Sequence, residues 1–347
     1  MENLPQVSVH EFNDRLRARA KELRIPFQAS LELTYACNFR CVHCFNPHHE
    51  SKDDLGTEFW KSVLGQLAGE GCLVALFTGG EPLVRKDLFD LLAHARNLGM
   101  QCILNTNGLL LDPEKIQRLE ESGLTLLAVS VFGMSVQSYE SVTRIPGSFA
   151  RFLLHVEQLR RSRIPLLFKM PVMQMNYQEV EYAKDWFSSR GLLLKHTSEI
   201  QPRADGDPEP LQHRISSAQA ADLRFRYEED LGCGKRSPRK DEFFDCQCGK
   251  SAVAITPRGE MNLCVSFHYP RHSLLKGSVR EGWKRLVDFA ADFKPSEKYE
   301  CPGCRLSPYC SRGAMDSWLN TGDFNPCVPY FKEVAGRIEG ALKKRSE

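Results

Sequence analysis

The chain has 347 residues, 42% of them hydrophobic and 26% charged, and its 46 basic and 44 acidic residues leave a formal net charge of +2. Such a composition supports a globular protein with a well-buried core, and the balanced charge excludes a nucleic-acid footprint. No apolar run approaches the roughly 20 residues of a membrane-spanning helix, and the N-terminus lacks the apolar segment of a secretory signal, so a cytoplasmic protein with no membrane partner is expected.

Residues 1–27 read as a short amphipathic helical extension. From residue 28 strand-like and helix-like segments alternate: "QASLELTY", "TEFWKSVLGQLAGE", "LVALF", "KDLFDLLAHARNLG", "QCILNTNG", "PEKIQRLEES", "LTLLAVSVF", "FARFLLHVEQLRRS", "PLLFKMPVM", "EVEYAKDWFSSRG" and "LLLKH". These make about six β/α units over 28–200, with short, nearly all-apolar strands of the kind buried on both faces. Right-handed crossovers place such strands in one parallel sheet. The predicted fold class is α/β, a partial (β/α)6 barrel with functional loops at the strands' C-terminal ends. Residues 201–232 read as a proline-rich linker followed by a helix near 217–230. Residues 233–347 are rich in Cys, Gly and Pro, with a hairpin "SAVAITPRGEMNLC" turning at Pro257-Arg258-Gly259 and helical stretches "REGWKRLVDFAADF" and "PYFKEVAGRIEGALKK". A region with so few core residues needs inorganic staples.

The chain has thirteen cysteines, and in a reducing compartment clustered cysteines point to metal rather than disulfides. Cys37, Cys41 and Cys44 follow the first strand as C-x3-C-x2-C. A four-iron cube held by three thiolates leaves one iron open to an exogenous chelate, such as the amino and carboxylate groups of an amino acid. The alternative is a zinc site completed by His43 or His48. After the second strand comes "TGGEP", residues 78–82, where glycines allow close backbone approach and Glu81 offers a carboxylate to a bound ammonium. Cys72 and Cys102 lie on or beside apolar strands and read as core.

With both motifs in order, the chain resembles the radical S-adenosylmethionine superfamily over residues 28–200. The resemblance implies that Cys37, Cys41 and Cys44 hold a 4Fe–4S cluster whose open iron chelates S-adenosylmethionine. It implies that Gly79, Gly80 and Glu81 contact the methionine moiety and that His43 packs beside cluster and adenine. Ser130 and Arg144 then hold the ribose or carboxylate, with Asn105, Thr106 and Asn107 lining the site. The implied chemistry is one-electron cleavage to methionine and a 5′-deoxyadenosyl radical, which abstracts hydrogen from an unreactive C–H bond. An external electron donor is therefore an expected partner.

In the C-terminal region Cys248, Gly259 and Cys264 fit C-x9–15-G-x4-C, and Cys301-x2-Cys304-x5-Cys310 follows, with Cys327 last. This resembles the SPASM extension of peptide-modifying radical enzymes, which implies one or two auxiliary 4Fe–4S clusters. Cys301, Cys304, Cys310 and Cys327 form one complete ligand set. The other has Cys246, Cys248 and Cys264 but Ala314 where the pattern asks for cysteine. That site is expected to keep an open iron, to recruit Cys233 or Asp316, or to be absent. A zinc ribbon is the alternative for the complete set. The resemblance implies an oxidative intramolecular crosslink, carbon–carbon or thioether, in a ribosomally made peptide. The other expectations are a small-molecule substrate, peptide epimerisation, or a zinc-stapled binding protein. Only some 27 residues precede the core, so either a separate leader-binding protein presents the precursor or the SPASM-like region recognises it.

Overall fold

The computed structural model describes residues 9–227, 243, 244 and 246–346. Nine strands form one sheet in the order β6-β5-β4-β3-β2-β1-β7-β8-β9. They are β1 (Gln28–Thr34), β2 (Val74–Gly79), β3 (Gln101–Thr106), β4 (Leu126–Ser130), β5 (Leu166–Pro171), β6 (Leu194–Thr197), β7 (Ala252–Ile255), β8 (Glu260–Asn262) and β9 (His272–Ser273). The helices are α1 (Val9–Leu23), α2 (Thr57–Gly69), α3 (Leu88–Asn97), α4 (Pro113–Glu121), α5 (Val136–Thr143), α6 (Ser148–Leu159), α7 (Val180–Ser188), α8 (Ser217–Arg226), α9 (Val279–Asp292), α10 (Ala314–Thr321) and α11 (Pro329–Ser346). Among the described residues no helix is long and apolar enough to cross a membrane.

Strands β1 to β6 are parallel and consecutive neighbours, as the alternating pattern requires. One face, carrying Leu31, Phe77, Leu104, Val129 and Phe168, is buried. Burying each such Leu or Phe side chain contributes about 1.5–3 kcal/mol. The opposite face differs from the expected all-apolar burial. Its N-terminal end carries Val74, which packs with Ala20 of α1 and with Phe27. Toward the C-terminal ends it carries Glu32, Thr78, Asn105, Ser130, Lys169 and Lys195, which the strand register places on one side. Short strands have room for only a few residues per face, so the apolar face dominates their sequence and hides this polar row.

The C-terminal hairpin extends the same sheet. β7 pairs in parallel with β1, Ala29 opposite Val253 and Leu31 opposite Ile255, and β8 and β9 continue antiparallel. Gly259 at the β7–β8 turn has φ +75, and a Cβ there would stand 2.9 Å from both Leu55 and Phe59. A side chain would be strained and crowded there, which explains the glycine in the spaced cysteine pattern.

Candidate active site

The loop carrying Cys37, Cys41 and Cys44 leaves the end of β1 and is tied down on three sides. Phe39 and Val42, between the cysteines, are buried and anchor the loop from below. The backbone N–H groups of Arg40 and Val42 donate to the carbonyls of Thr143 (3.1 Å) and Val142 (3.0 Å), at the C-terminal end of α5. Those carbonyls lack a partner within their own helix, so the loop satisfies the helix end while the helix holds the loop. Arg40 also donates to the carbonyls of Cys37 (2.7 Å) and Phe39 (2.8 Å). On the third side Asn107 donates to Asn38 Oδ1 at 2.7 Å and lies 3.8 Å from the Cys37 sulfur.

The glycines of the second motif act on this loop directly. The N–H of Gly80 donates to Thr34 O at 2.7 Å, and that of Glu81 to Ala36 O at 2.9 Å. A Cβ on Gly79 would lie 2.3 Å from Thr34 O, and one on Gly80 would lie 2.2 Å from Ala36 O. Both contacts are with backbone, so no side chain fits at either position. Glu81 is fully buried, and its carboxylate accepts from Leu83 N (3.0 Å), Thr106 Oγ1 (2.8 Å) and Asn107 N (2.7 Å). Burial pushes its pKa up to about 7, against the pull of those donors. Glu81 thus links the ends of β2 and β3 and, through Asn107, steadies the cysteine loop.

Of the other expected residues, His43 lies on this loop between Cys41 and Cys44. His43 tilts against Phe132 at 5.6 Å, and its buried Nδ1 has no hydrogen-bond partner among the described residues. Burial, with a smaller contribution from His213, lowers its pKa to about 4, so it is neutral. Asn105 and Ser130 lie on the polar face of the sheet, with Lys169 donating to Asn105 Oδ1 at 3.4 Å. Arg144 is the left-handed C-cap of α5 (φ 59), half-exposed and 3.8 Å from Glu209. Cys72 and Cys102 are buried core residues, as expected.

Burial pushes all three loop thiols above their usual range, Cys37 to about 11, and the neighbouring cysteines add to the rise at Cys37 and Cys41. Metal binding relieves that penalty, because a thiolate shares its charge with the ion. Among the described residues no three Cys, His, Asp or Glu side chains close around a single metal ion. A cube needs no such convergence, since each thiolate binds a different iron. Three thiols on a fixed loop, with the unpartnered His43 Nδ1 beside them, fit an iron–sulfur cluster with one open position.

A second thiol group lies in the C-terminal region. Cys301, Cys304, Cys310 and Cys327 line one small cavity together with Arg312. Sequence reasoning missed Arg312, since one basic residue two positions after a cysteine carries no signal. It is fully buried, donates to the Cys301 sulfur at 2.8 Å and the Ser317 hydroxyl at 2.5 Å, and reaches the carbonyls of Phe324, Asn325 and Pro326. Among the described residues it forms no ion pair, and its charge acts on Asp316, where it opposes the rise in pKa that burial causes. In the third group, the Cys248 thiol shares hydrogen bonds with the free thiols of Cys246 and Cys264. Ala314 is buried at the head of α10 and supplies no donor there. Asp316 is engaged by Gln201 Nε2 and Gly313 N, both at 2.5 Å, and Cys233 lies outside the described residues.

A six-stranded parallel α/β sheet with a cysteine loop at the end of its first strand defines a class of cofactor-dependent enzymes. The Radical SAM superfamily profile matches residues 31–187. An AdoMet-dependent heme synthase of Methanosarcina barkeri is 31% identical over 328 residues, covering 86% of this chain and 94% of that protein. A PqqA peptide cyclase of Bradyrhizobium diazoefficiens is 31% identical over 169 residues, covering 48% of this chain and 44% of that protein. Streptococcus suis SuiB bound to the precursor peptide SuiA superposes with a TM-score of 0.72 at 16% identity, covering 96% of this chain and 84% of that one. The chain belongs to the radical SAM superfamily, whose enzymes use a 4Fe–4S cluster and S-adenosylmethionine.

Proposed function

We propose that this enzyme oxidatively modifies a ribosomally made peptide, joining two of its side chains by a carbon–carbon or thioether bond. Cys37, Cys41 and Cys44 would hold the radical-generating cluster, with Gly79, Gly80 and Glu81 bounding the methionine of S-adenosylmethionine. His43, Asn105, Ser130 and Arg144 would surround its adenine, ribose and carboxylate. Bound there, the cluster and S-adenosylmethionine would supply radical abstraction of hydrogen from a C–H bond. The chain's own residues fix the loop geometry, through Asn107, Arg40 and the end of α5, and keep a neutral imidazole beside it. An external donor provides electrons, and a cytoplasmic leader-binding partner presents the peptide.

The observation that carries the oxidative reading is the second thiol cavity, which four cysteines line together with a buried Arg312 that donates to the Cys301 sulfur. A redox-neutral hydrogen transfer needs no second iron site, whereas an oxidation must pass on an electron. The peptide substrate is supported by the PqqA peptide cyclase similarity, which covers under half of either chain. A second reading, an iron porphyrin as substrate, is favoured by the heme synthase similarity over nearly the whole chain.

The test is intact-mass analysis after anaerobic co-expression with each short open reading frame beside the gene, run beside in vitro turnover with an iron porphyrin. Loss of two hydrogens from one peptide supports crosslinking. An unchanged mass that gains one deuterium in heavy water means epimerisation instead. A mass change confined to the porphyrin replaces the peptide reading with the tetrapyrrole one.

A further inference from the structure

Among the described residues the third thiol group is one donor short, and this inference rests on the auxiliary-cluster reading above. Cys246, Cys248 and Cys264 stand together, Ala314 offers nothing, and both carboxylate oxygens of Asp316 are committed at 2.5 Å to Gln201 and Gly313. His268 Nε2 is within 3.1 Å of the Val265 carbonyl.

Glu32 is different. It projects from β1 onto the polar face and is 1% exposed, yet its Oε2 has no hydrogen-bond partner among the described residues. Its nearest cationic group is His268 Nε2 at 3.8 Å, on the turn that begins at Cys264, where Cys264 and Phe267 form a bridge. Among the described residues no lysine or arginine pairs with it. Burial, and then the charge of Cys264, raise its pKa to about 8. Its charge also adds to the rise at Cys44 of the radical loop. A buried carboxyl oxygen without a donor has lost its hydration uncompensated, and a metal ion beside it would remove that penalty.

We propose that Glu32 supplies the fourth donor, a carboxylate oxygen, to the iron–sulfur cluster held by Cys246, Cys248 and Cys264, in place of the cysteine that Ala314 replaces. A ligand drawn from β1 ties this auxiliary site to the strand that carries the radical loop. It also explains why the position at 314 tolerates alanine. An oxygen donor on one iron gives the cluster a spectroscopic signature distinct from that of an all-thiolate cube.

The experiment uses the full chain with Cys37→Ala, Cys41→Ala and Cys44→Ala together, reconstituted anaerobically, so that only auxiliary iron remains. Iron and sulfide per chain and the EPR and Mössbauer spectra are compared with and without Glu32→Gln, and with Glu32→Cys as the restoring variant. The expected result is that Glu32→Gln loses about four irons per chain or shifts one cluster's spectrum. Glu32→Cys should recover the full iron count with an all-thiolate signature. An unchanged iron count and spectrum in Glu32→Gln overturns the ligand assignment alone. No iron in the triple-alanine chain overturns the auxiliary-cluster reading and this inference with it. Total iron in Glu32→Gln and Glu32→Cys chains that keep all thirteen cysteines repeats the comparison where the triple variant folds poorly.

Discussion

Arg312 is the most demanding side chain outside the radical loop, because a buried guanidinium must satisfy every N–H it carries. Its Nε donates to the Ser317 hydroxyl, Nη1 to the Cys301 sulfur and Nη2 to the carbonyls of Phe324, Asn325 and Pro326, which gathers the segment 324–326 around the Cys301 loop. Arg312→Met keeps much of the volume but removes the donor to the Phe324 and Asn325 carbonyls, while Pro326 O keeps the Ser317 hydroxyl, and a loss of about 3 kcal/mol is expected. The check is the urea midpoint together with iron content, and both should fall. His196 sets a different test. It is 4% exposed on β6, against Tyr227 at 5.2 Å, and burial, then Lys184 and Arg226, lower its pKa to about 4. The unfolded imidazole titrates near 6.5, so the native state excludes a proton that the unfolded chain accepts. The stability this brings is present above pH 6.5 and is lost as pH falls through 4, up to about 3 kcal/mol. In His196→Phe the fall in urea midpoint between pH 7 and pH 5 should shrink, and an unchanged fall would assign the acid sensitivity to other groups.

At the scale of elements, the geometry of the cysteine loop depends on parts that lie far from it in sequence. Gly80 forms a backbone contact that no side chain can share, so Gly80→Ala should push residues 35 and 36 outward with the loop they root. The expected outcome is a lowered melting temperature and loss of the iron–sulfur absorption of the radical site. Normal absorption at that site would show that the loop can shift without losing its ligand geometry. The cysteine spacing and the two glycines were legible because chemistry and close packing restrict those positions to one residue type. The six strands were legible because their apolar faces are nearly unbroken. Helix α5 was not. "VQSYESVT" contains β-branched and small polar residues with weak helix preference, and its stability comes from tertiary partners. Glu179 accepts from Met134 N (2.7 Å), Ser135 Oγ (2.7 Å) and Ser138 Oγ (2.6 Å), while Ser135 and Ser138 form a capping box. A carboxylate more than forty residues away leaves no local trace. Glu32 was hidden for the same reason, as one acidic residue in the strand-like run "LELT".

At the scale of the whole molecule, the sheet and its core join the N-terminal and C-terminal regions. Gln28 N donates to Ser251 O at 3.0 Å, and Val253 and Ile255 are buried beside β1. Trp283 Nε1 on α9 donates to Arg24 O at 2.6 Å just after α1, and Val279 N donates to Gln66 Oε1 of α2 at 2.9 Å. One hydrophobic cluster contains Ala29 near its start and Ile338 near its end. A chain ending at residue 227 would therefore remove the partner of β1 and leave a strand that is internal in the full sheet with an open hydrogen-bonding edge. Such an edge, flanked by apolar Ala29 and Leu31, is a template for pairing with other chains. The truncated chain is expected to elute as mixed oligomers on size-exclusion chromatography and to melt without a sharp transition. A monomer with one cooperative transition would instead show that residues 9–227 fold alone, and the contacts of β7 and α9 would then serve to position the second and third thiol groups rather than to complete the core.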